Sequence, residues 1–413
     1  MMSPTVIRCR ALVCRGPEQW KVEMIEVDPP KALEVRIKML YASVCHTDLD
    51  CAKGFPFVIS SLPRSYVSLI TLNYTYMCVC MILPCLLQPL YPRVLGHEGV
   101  GVVESVGDEV EELKEGDVVM PLLLGECGEC ENCTASSTNQ CLTLPFHFTG
   151  LMPDGTFRLH LPPDSGNDGH RQPLYHLFSC GTWSQYIVAQ AHYVLKLNSD
   201  IPPPHASFLS CGFSTGFGAA QVEARIDEGS TVAVVGLGAV GLGAVAGARA
   251  LGAATIIGVD KNDMKREKGE AFGITHFINP DNFTGKAISE LVKDLTGGLG
   301  VDYCIECTGA PYLINQALES TKVGKGRAIV LGSGAEMDVP ISFLALLMGR
   351  SLKGSLFGGV KPRTHLPHLL HQCCSSKVSA YNSLNIDRHH GWRAAIELYY
   401  DIDHACIVPT PAS

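Results

Sequence analysis

Four cysteines lie close together in the segment GECGECENCTASSTNQC, which spans residues 125–141. Their spacing is C-x2-C-x2-C-x7-C, and the members are Cys127, Cys130, Cys133 and Cys141. Short spacings let one loop wrap a metal ion, and four thiolates form a closed tetrahedral shell that is typical of structural zinc. The same four thiolates also suit an iron–sulfur cluster, and thiols without a metal are a further alternative. The pattern predicts a structural metal site.

A second set of metal-ligand residue types is dispersed along the chain. Cys45 lies in CHTD, His97 in GHEG and Cys211 in SCGF. Two cysteines and one histidine give zinc three protein ligands and leave its fourth position open, which is the pattern of a catalytic site. Each residue alone also fits a structural role, because an isolated cysteine packs as a small apolar side chain.

The segment TVAVVGLGAVGLGAVAGARALGAATIIGVD predicts a nucleotide site. It contains a strand, a glycine turn, a helix and a second strand, predicted at 231–235, 236–241, 239–251 and 255–259. Gly236 permits the tight turn, Gly238 lets the backbone approach a pyrophosphate, and Gly241 lets the helix pack close to the strand. The carboxylate of Asp260 can bind ribose hydroxyls and repels a 2′-phosphate, which favours NAD over NADP.

The composition sets the frame for these sites. The chain has 413 residues, of which 46% are apolar and 18% charged, and its net charge is −9. Such a chain holds two or three domains, is not disordered, and offers no basic surface for nucleic acid or an anionic membrane. Helices and strands alternate beyond residue 260, which predicts an α/β protein with a doubly wound parallel sheet.

Eighteen cysteines and the N-terminal sequence MMSPTVIRCR, which lacks an apolar signal core, favour a cytoplasmic protein that uses thiols as metal ligands.

Together these motifs resemble the zinc-dependent medium-chain alcohol dehydrogenases. The resemblance is closest to the plant-type branch that includes glutathione-dependent formaldehyde dehydrogenase, and it covers about 5–56 and 89–370. It rests on CHTD, GHEGVGVVESVG, the four-cysteine loop, CGFSTGFGAA, VVGLGAVGLG and SLFGG. It implies a GroES-like, β-rich catalytic domain and a Rossmann cofactor domain. It also implies a homodimer that acts on a small alcohol or aldehyde, with no nucleic-acid or membrane partner.

The resemblance assigns the metal ligands. Cys45, His97 and Cys211 are expected to hold a catalytic zinc, and the four-cysteine loop a structural zinc, which gives two zinc ions per chain. Glu98 is expected to lie behind the catalytic metal. Asp48 is expected to bind the far nitrogen of His97 and fix its tautomer.

The resemblance also assigns cofactor contacts, with NAD as the hydride acceptor. His46 is expected to contact the pyrophosphate and Lys265 the adenosine ribose, while Thr215 and Val240 pack against the nicotinamide. The hydroxyl of Thr47 is expected to carry the proton away from the alcohol. Relatives place a histidine at the outer end of this route, where this chain has Asp50; either Asp50 or solvent accepts the proton.

The predicted reaction is zinc-dependent oxidation of an alcohol to an aldehyde or ketone. The glutathione adduct of formaldehyde, S-(hydroxymethyl)glutathione, is an alternative substrate. Leu123 and Trp183 match positions that line the substrate cleft in relatives, and the small Leu123 predicts room for primary alcohols larger than ethanol. A place for Leu123 in the ordinary core is the alternative.

Two stretches depart from the family. Residues 57–88 lengthen the segment between Cys45 and His97, and we interpret them as a translated intron. A buried or oligomer-facing insertion and a membrane span are the alternatives. Residues from about 371 to 413 do not align. A catalytically impaired product of a mis-spliced gene is therefore an alternative to the active enzyme. The predicted domains are 1–212 and 356–413 for catalysis and 213–355 for NAD.

Overall fold

A computed structural model describes residues 5–54, 90–147, 149–163, 169–197, 201–334, 338–374, 387–390 and 405–408. The chain forms two compact units. The first comprises residues 1–127, 143–199 and 388–413, and the second comprises residues 128–142 and 200–387.

The first unit contains a small closed barrel, in which the strands follow the order β1-β2-β7-β8-β4. These strands are β1 (Ile7–Gly16), β2 (Gln19–Val27), β7 (Leu159–Leu161), β8 (Gln172–His176) and β4 (Arg93–Val94). All neighbours are antiparallel except β4 and β8. Closure leaves this sheet without a free edge.

A seven-stranded sheet forms the rest of the first unit. Its main path is β10-β6-β5-β3-β18-β17, and β9 also pairs with β3. The strands are β3 (Glu34–Ser43), β5 (Gly99–Val106), β6 (Val118–Pro121), β9 (Tyr186–Gln190), β10 (Val194–Lys196), β17 (Asp387–His390) and β18 (Ala405–Val408). Alternate apolar residues of these strands, among them Val35, Ile37, Val103 and Ile187, form one core cluster. Helix α1 (His46–Ala52) follows β3 at residues that carry the CHTD motif.

The second unit is built on a six-stranded, fully parallel sheet in the order β13-β12-β11-β14-β15-β16. The strands are β11 (Thr231–Val235), β12 (Thr255–Val259), β13 (His276–Ile278), β14 (Tyr303–Glu306), β15 (Arg327–Val330) and β16 (Ser351–Gly354). This is the Rossmann strand order. The central strands are continuous apolar runs because helices cover both faces of such a sheet.

Helices connect and cover the strands of the second unit. They are α2 (Glu131–Thr134), α3 (Pro203–Leu209), α4 (Gly212–Gly218), α5 (Ala239–Ala250), α6 (Lys265–Phe272), α7 (Ile288–Asp294), α8 (Pro311–Ser320), α9 (Phe343–Leu347) and α10 (Leu366–Cys374). The predicted strand, helix and strand of the nucleotide segment agree with β11, α5 and β12 to within one residue.

The division between the units differs from the predicted domain limits. The first unit ends at residue 199 rather than 212, and its last segment begins at residue 388 rather than 356. The cause is close packing of α4 on α5: a Cβ added at Gly216 would lie 1.7 Å from the carbonyl oxygen of Val240. The segment that carries Cys211 therefore belongs to the second unit.

The two atypical stretches are only partly covered by the structure. Residues 57–88 lie outside the described residues, so the interpretation of this stretch as a translated intron stays a prediction. Beyond residue 371, the structure describes the end of α10 and the strands β17 and β18. Strand β18 pairs antiparallel with β3, with Cys406 opposite Ser43. No helix in the described part of the chain combines the length and apolar character needed to cross a membrane.

Candidate active site and cofactor loop

Asp48 links the two ligand-bearing segments of the first unit. One of its carboxylate oxygens accepts the backbone N–H of Cys45 at 3.0 Å, and the other accepts the backbone N–H of Gly96 at 3.1 Å. Cys45 is the N-cap residue of α1, and Asp48 occupies the third helical position, where a side chain can reach back to the N-cap backbone. The CHTD motif thus folds locally around this carboxylate.

The same carboxylate also holds His97. Its oxygen Oδ1 lies 3.0 Å from Nδ1 of the imidazole, and both side chains are buried. This is the contact expected from the sequence. Because Nδ1 faces a carboxylate, Nε2 is the nitrogen that can bind a metal. Burial raises the pKa of the Asp48 carboxyl, and the neighbouring His97 acts in the opposite direction.

The turn that presents His97 requires a glycine. Gly96 has a φ of +90°, and a Cβ at this position would lie 2.4 Å from Cδ1 of Trp183. A larger residue would push His97 away from Asp48, since the backbone has no other place for the side chain.

Three metal-binding groups of the first unit converge. One ligand atom from each of Cys45, His97 and Glu98 lies within 4.8 Å of the other two. His97 and Glu98 are buried, whereas Cys45 is partly exposed. Thiolate, imidazole and carboxylate are all ligands of zinc, so this donor set fits the ion. Cys211 lies in the second unit, at the residue before α4.

His46, Thr47 and Asp50 lie on α1, beside these groups. The imidazole of His46 is exposed, and its Nε2 lies 3.6 Å from Oδ1 of Asp50. Burial raises the pKa of the Asp50 carboxyl, while His46 lowers it. This carboxyl is therefore paired with the imidazole of His46 on the helix that carries Thr47.

Phe178 is a residue of this site that the sequence did not reveal. Its ring meets the imidazole of His97 edge to face, with 5.3 Å between the centroids, and it also contacts the ring of Phe146 at a centroid distance of 4.6 Å. Phe178 and Ser179 both have positive φ values, 51° and 59°. Two consecutive non-glycine residues in this region are uncommon and often mark functional sites. No sequence pattern predicts positive φ values at these two residues.

The prediction that Trp183 lines a substrate cleft is wrong. Its side chain is fully buried, stacks on Trp20 at 6.0 Å, and donates its indole N–H to the carbonyl of Ser43. These contacts leave no surface for a substrate. Leu123 is only 4% exposed, in agreement with the alternative that it belongs to the core.

The four-cysteine loop brings its sulfur atoms together. The ligand atoms of Cys127, Cys130, Cys133 and Cys141 all lie within 4.8 Å of one another. The sulfur of Cys130 accepts the backbone N–H groups of Cys133 and Leu142, each at 3.4 Å. Amide donors of this kind stabilise thiolates, so the loop suits a tetrahedral zinc ion.

The glycine loop of the second unit has the geometry of a pyrophosphate cradle. Gly236 has a φ of +89°, and a Cβ at Gly241 would lie 1.8 Å from the carbonyl oxygen of Gly236. A Cβ at Gly238 would meet no atom within 4 Å. The loop therefore needs glycine at 236 and 241 for its own packing, and leaves open space at 238, where α5 begins.

Asp260 stands at the end of β12, next to this loop. Its Oδ2 accepts the backbone N–H of Leu237 at 2.8 Å, and its Oδ1 accepts that of Asn262 at 3.0 Å. The ammonium of Lys265 lies 3.4 Å from Oδ2. Thr215 and Val240 lie on α4 and α5, which pack directly on each other.

Comparison with known protein families identifies the family of this chain. The model described as alcohol dehydrogenase GroES-like domain matches residues 31–199, and the one described as zinc-binding dehydrogenase matches residues 239–373. The chain belongs to the zinc-dependent medium-chain alcohol dehydrogenase family. A protein named "CYP enzymes assisting alcohol dehydrogenase", from Catharanthus roseus, is 53% identical over 92% of both chains. Alcohol dehydrogenase 1 from Artemisia annua is 48% identical over 94% of this chain and 93% of that relative.

Solved structures share the fold. A protein from Burkholderia ambifaria, described as an alcohol dehydrogenase zinc-binding domain protein, superimposes with a TM-score of 0.78 at 26% identity, over 98% of this chain and 100% of that chain. Benzyl alcohol dehydrogenase from Acinetobacter calcoaceticus superimposes with a TM-score of 0.77 at 24% identity, over the same shares. The predicted combination of a GroES-like unit and a Rossmann unit is confirmed.

Proposed function

We propose that this protein oxidises alcohols to aldehydes or ketones and transfers the hydride to NAD. The observation that carries the proposal is the convergence of Cys45, His97 and Glu98, with Asp48 fixing the imidazole from behind. Family membership and relatives named alcohol dehydrogenase over nine-tenths of the chain support it.

Cys45 and His97 are the zinc ligands of the first unit, and Cys211 of the second unit supplies the third. A zinc ion held by these residues would supply Lewis-acid polarisation of the alcohol oxygen, and NAD would supply the hydride acceptor. Asp48 keeps Nε2 of His97 available to the metal. The hydroxyl of Thr47 accepts the proton from the alcohol and releases its own, which Asp50 or solvent receives at the outer end of the route.

The cofactor is NAD rather than NADP. The open space at Gly238 and the N-terminus of α5 suit a pyrophosphate, which His46 also contacts. The carboxylate of Asp260 accepts the ribose hydroxyls and repels a 2′-phosphate. Lys265 contacts the same ribose, and Thr215 and Val240 pack against the nicotinamide.

A second zinc ion is structural and lies in the four-cysteine loop. The four converging sulfur atoms support this assignment, since they form a closed shell that leaves no position for substrate. Six of the seven ligands proposed for the two zinc ions are thiolates, which need a reducing compartment, so we place the protein in the cytoplasm.

We also propose that the protein is a homodimer. Helix α9 exposes Phe343, Leu344 and Leu347, at 73%, 64% and 66%, and it precedes β16, the last strand of the parallel sheet. An apolar patch beside a sheet edge is typical of a protein interface. Multi-angle light scattering of the double variant L344E/L347E tests this: we expect a monomer where the wild type is a dimer, and a dimeric variant would contradict the assignment.

Activity of the purified chain tests the reaction. We expect NADH formation at 340 nm with ethanol to hexanol and two zinc ions per chain by atomic emission. C45S and H97A should abolish turnover. C9S changes a buried cysteine of β1 outside the cluster and should retain wild-type turnover. An assay with S-(hydroxymethyl)glutathione as substrate distinguishes activity on simple alcohols from activity on the glutathione adduct of formaldehyde. A soluble wild-type chain that holds zinc but turns over no alcohol would refute the proposal.

A further inference from the structure

Lys361 is a buried lysine with an unusual set of partners. It follows the turn Phe357–Gly359 after β16, and it is only 7% exposed. Its ammonium donates hydrogen bonds to the backbone carbonyls of Cys133 and Ala135, the latter at 2.6 Å. Both acceptors lie in the four-cysteine loop, so this side chain crosses from the end of the parallel sheet to the loop.

A second side chain joins the same two segments. The amide nitrogen of Asn139 donates to the carbonyl of Leu356 at 2.9 Å and to that of Val360 at 3.1 Å. Within the loop, Asn132 donates to the carbonyl of Gln140 at 2.7 Å. Two side chains therefore attach the loop to residues 356–361: Asn139 extends from the loop, and Lys361 extends towards it.

The charge of Lys361 needs compensation. Among the described residues, no carboxylate forms an ion pair with its ammonium, in contrast to Lys353 nearby, which pairs with Glu223. A buried ammonium without a counter-charge is strongly unfavourable. Four thiolates around a divalent ion carry a net charge of about −2, and Cys133, whose carbonyl binds the ammonium, supplies one of them. The positive charge of Lys361 and the negative charge of the metal–thiolate group therefore compensate each other.

We propose that Lys361 is the positioning residue of the structural metal site: it holds the four-cysteine loop closed and compensates the negative charge of its metal-bound thiolates. This inference rests on the zinc assigned to the loop in the proposed function. It is separate from alcohol oxidation, because Lys361 contacts neither the Cys45–His97 group nor the glycine loop in any described interaction.

Alkylation of individual cysteines tests the inference on the full-length holoprotein. Iodoacetamide labelling is followed by peptide mass spectrometry for Cys130, Cys133 and Cys141, and zinc per chain is measured after dialysis against a chelator. We expect K361M, which loses both charge-assisted hydrogen bonds, to label these cysteines at least about tenfold faster than wild type and to lose one zinc ion.

Two further variants make the result decisive. K353M removes a half-exposed lysine of β16 and should keep wild-type labelling. K361Q retains an uncharged amide donor on a side chain one bond shorter than lysine. It should label faster than wild type, and it replaces K361M if that variant does not fold. Labelling of K361Q and K361M at the K353M rate would overturn the role of Lys361 and leave the zinc assignment intact. A wild-type chain without zinc would overturn both.

Discussion

The carboxylate of Asp48 and the imidazole of His97 lie 3.0 Å apart in the interior of the first unit. The same carboxylate accepts the backbone N–H groups of Cys45 and Gly96. One side chain therefore links Cys45 and Gly96, which lie on either side of the atypical stretch 57–88 in the sequence.

Asp48 is the first residue to test. We expect D48N to lower zinc affinity or turnover by about 10- to 100-fold, because an amide cannot serve all three donors as a carboxylate does. Zinc per chain and kcat with a primary alcohol measure the effect. D108N, which changes an exposed aspartate of the same unit, should behave as wild type. Equal zinc content and kcat in D48N would show that Asp48 does not position the ligands.

The glycine loop gives a matched pair of alanine variants. At Gly241 an added Cβ lies 1.8 Å from the carbonyl oxygen of Gly236, so G241A should lower the free energy of unfolding by about 1–3 kcal/mol. At Gly238 the added Cβ meets no atom, and its φ of −78° suits alanine, so G238A should unfold at the wild-type temperature. If the pyrophosphate occupies that space, G238A nevertheless weakens NAD binding. A loss of about 1.4 kcal/mol in binding free energy raises the Kd for NAD about tenfold.

Thermal unfolding without cofactor and NAD titration by calorimetry separate the two effects. A G238A variant that binds NAD as tightly as wild type would place the pyrophosphate elsewhere. Equal unfolding temperatures for G241A and wild type would contradict the tight packing of α5 on its loop.

Much of the second unit could be predicted because its signals are local. The run TVAVV predicts a buried parallel strand, and the glycines that follow fix the turn and the start of the helix within six residues. The four-cysteine loop is local in the same sense. These patterns specify backbone geometry directly, so no long-range contact is needed to interpret them.

The missed features depend on contacts between distant segments. Trp183 looks like a cleft residue by its position, but Trp20 and Ser43 enclose it in the core. The partners of Lys361 likewise lie far away in the chain, and no local sequence signal marks the left-handed backbone of Phe178. Small residues on α4, among them Gly216, allow it to pack on α5, which the motif around Cys211 does not reveal.

Asp260 controls the choice of cofactor in our proposal. D260N removes the charge that repels a 2′-phosphate and keeps an acceptor oxygen for one of the two backbone N–H groups, those of Leu237 and Asn262, that the carboxylate accepts. We expect the ratio of kcat/KM for NAD to that for NADP to fall by about 10- to 100-fold, as for the loss of one charged hydrogen bond. D263N changes an exposed aspartate three residues on and is the control. An unchanged ratio in D260N would assign cofactor choice to other residues.

His176 makes the stability of the first unit sensitive to acid. It is 2% exposed, and within the described part of the chain neither ring nitrogen has a hydrogen-bond partner. Burial, with a smaller effect of Arg158 and His147, lowers its pKa to about 3, whereas an unfolded histidine titrates near pH 6.5. The unfolded state therefore binds the proton first, so the free energy of unfolding falls as the pH drops from about 6.5 towards 3.

Between pH 6.5 and 4.5 this single group should remove about 2–3 kcal/mol. The variant H176F keeps the ring volume and cannot be protonated, so we expect it to lose that much less stability over the same interval. Urea unfolding followed by tryptophan fluorescence at several pH values measures the difference. H170F, which changes an exposed histidine, should follow the wild-type curve. Parallel curves for H176F and wild type would show that the pKa of His176 is the same in the folded and unfolded chains.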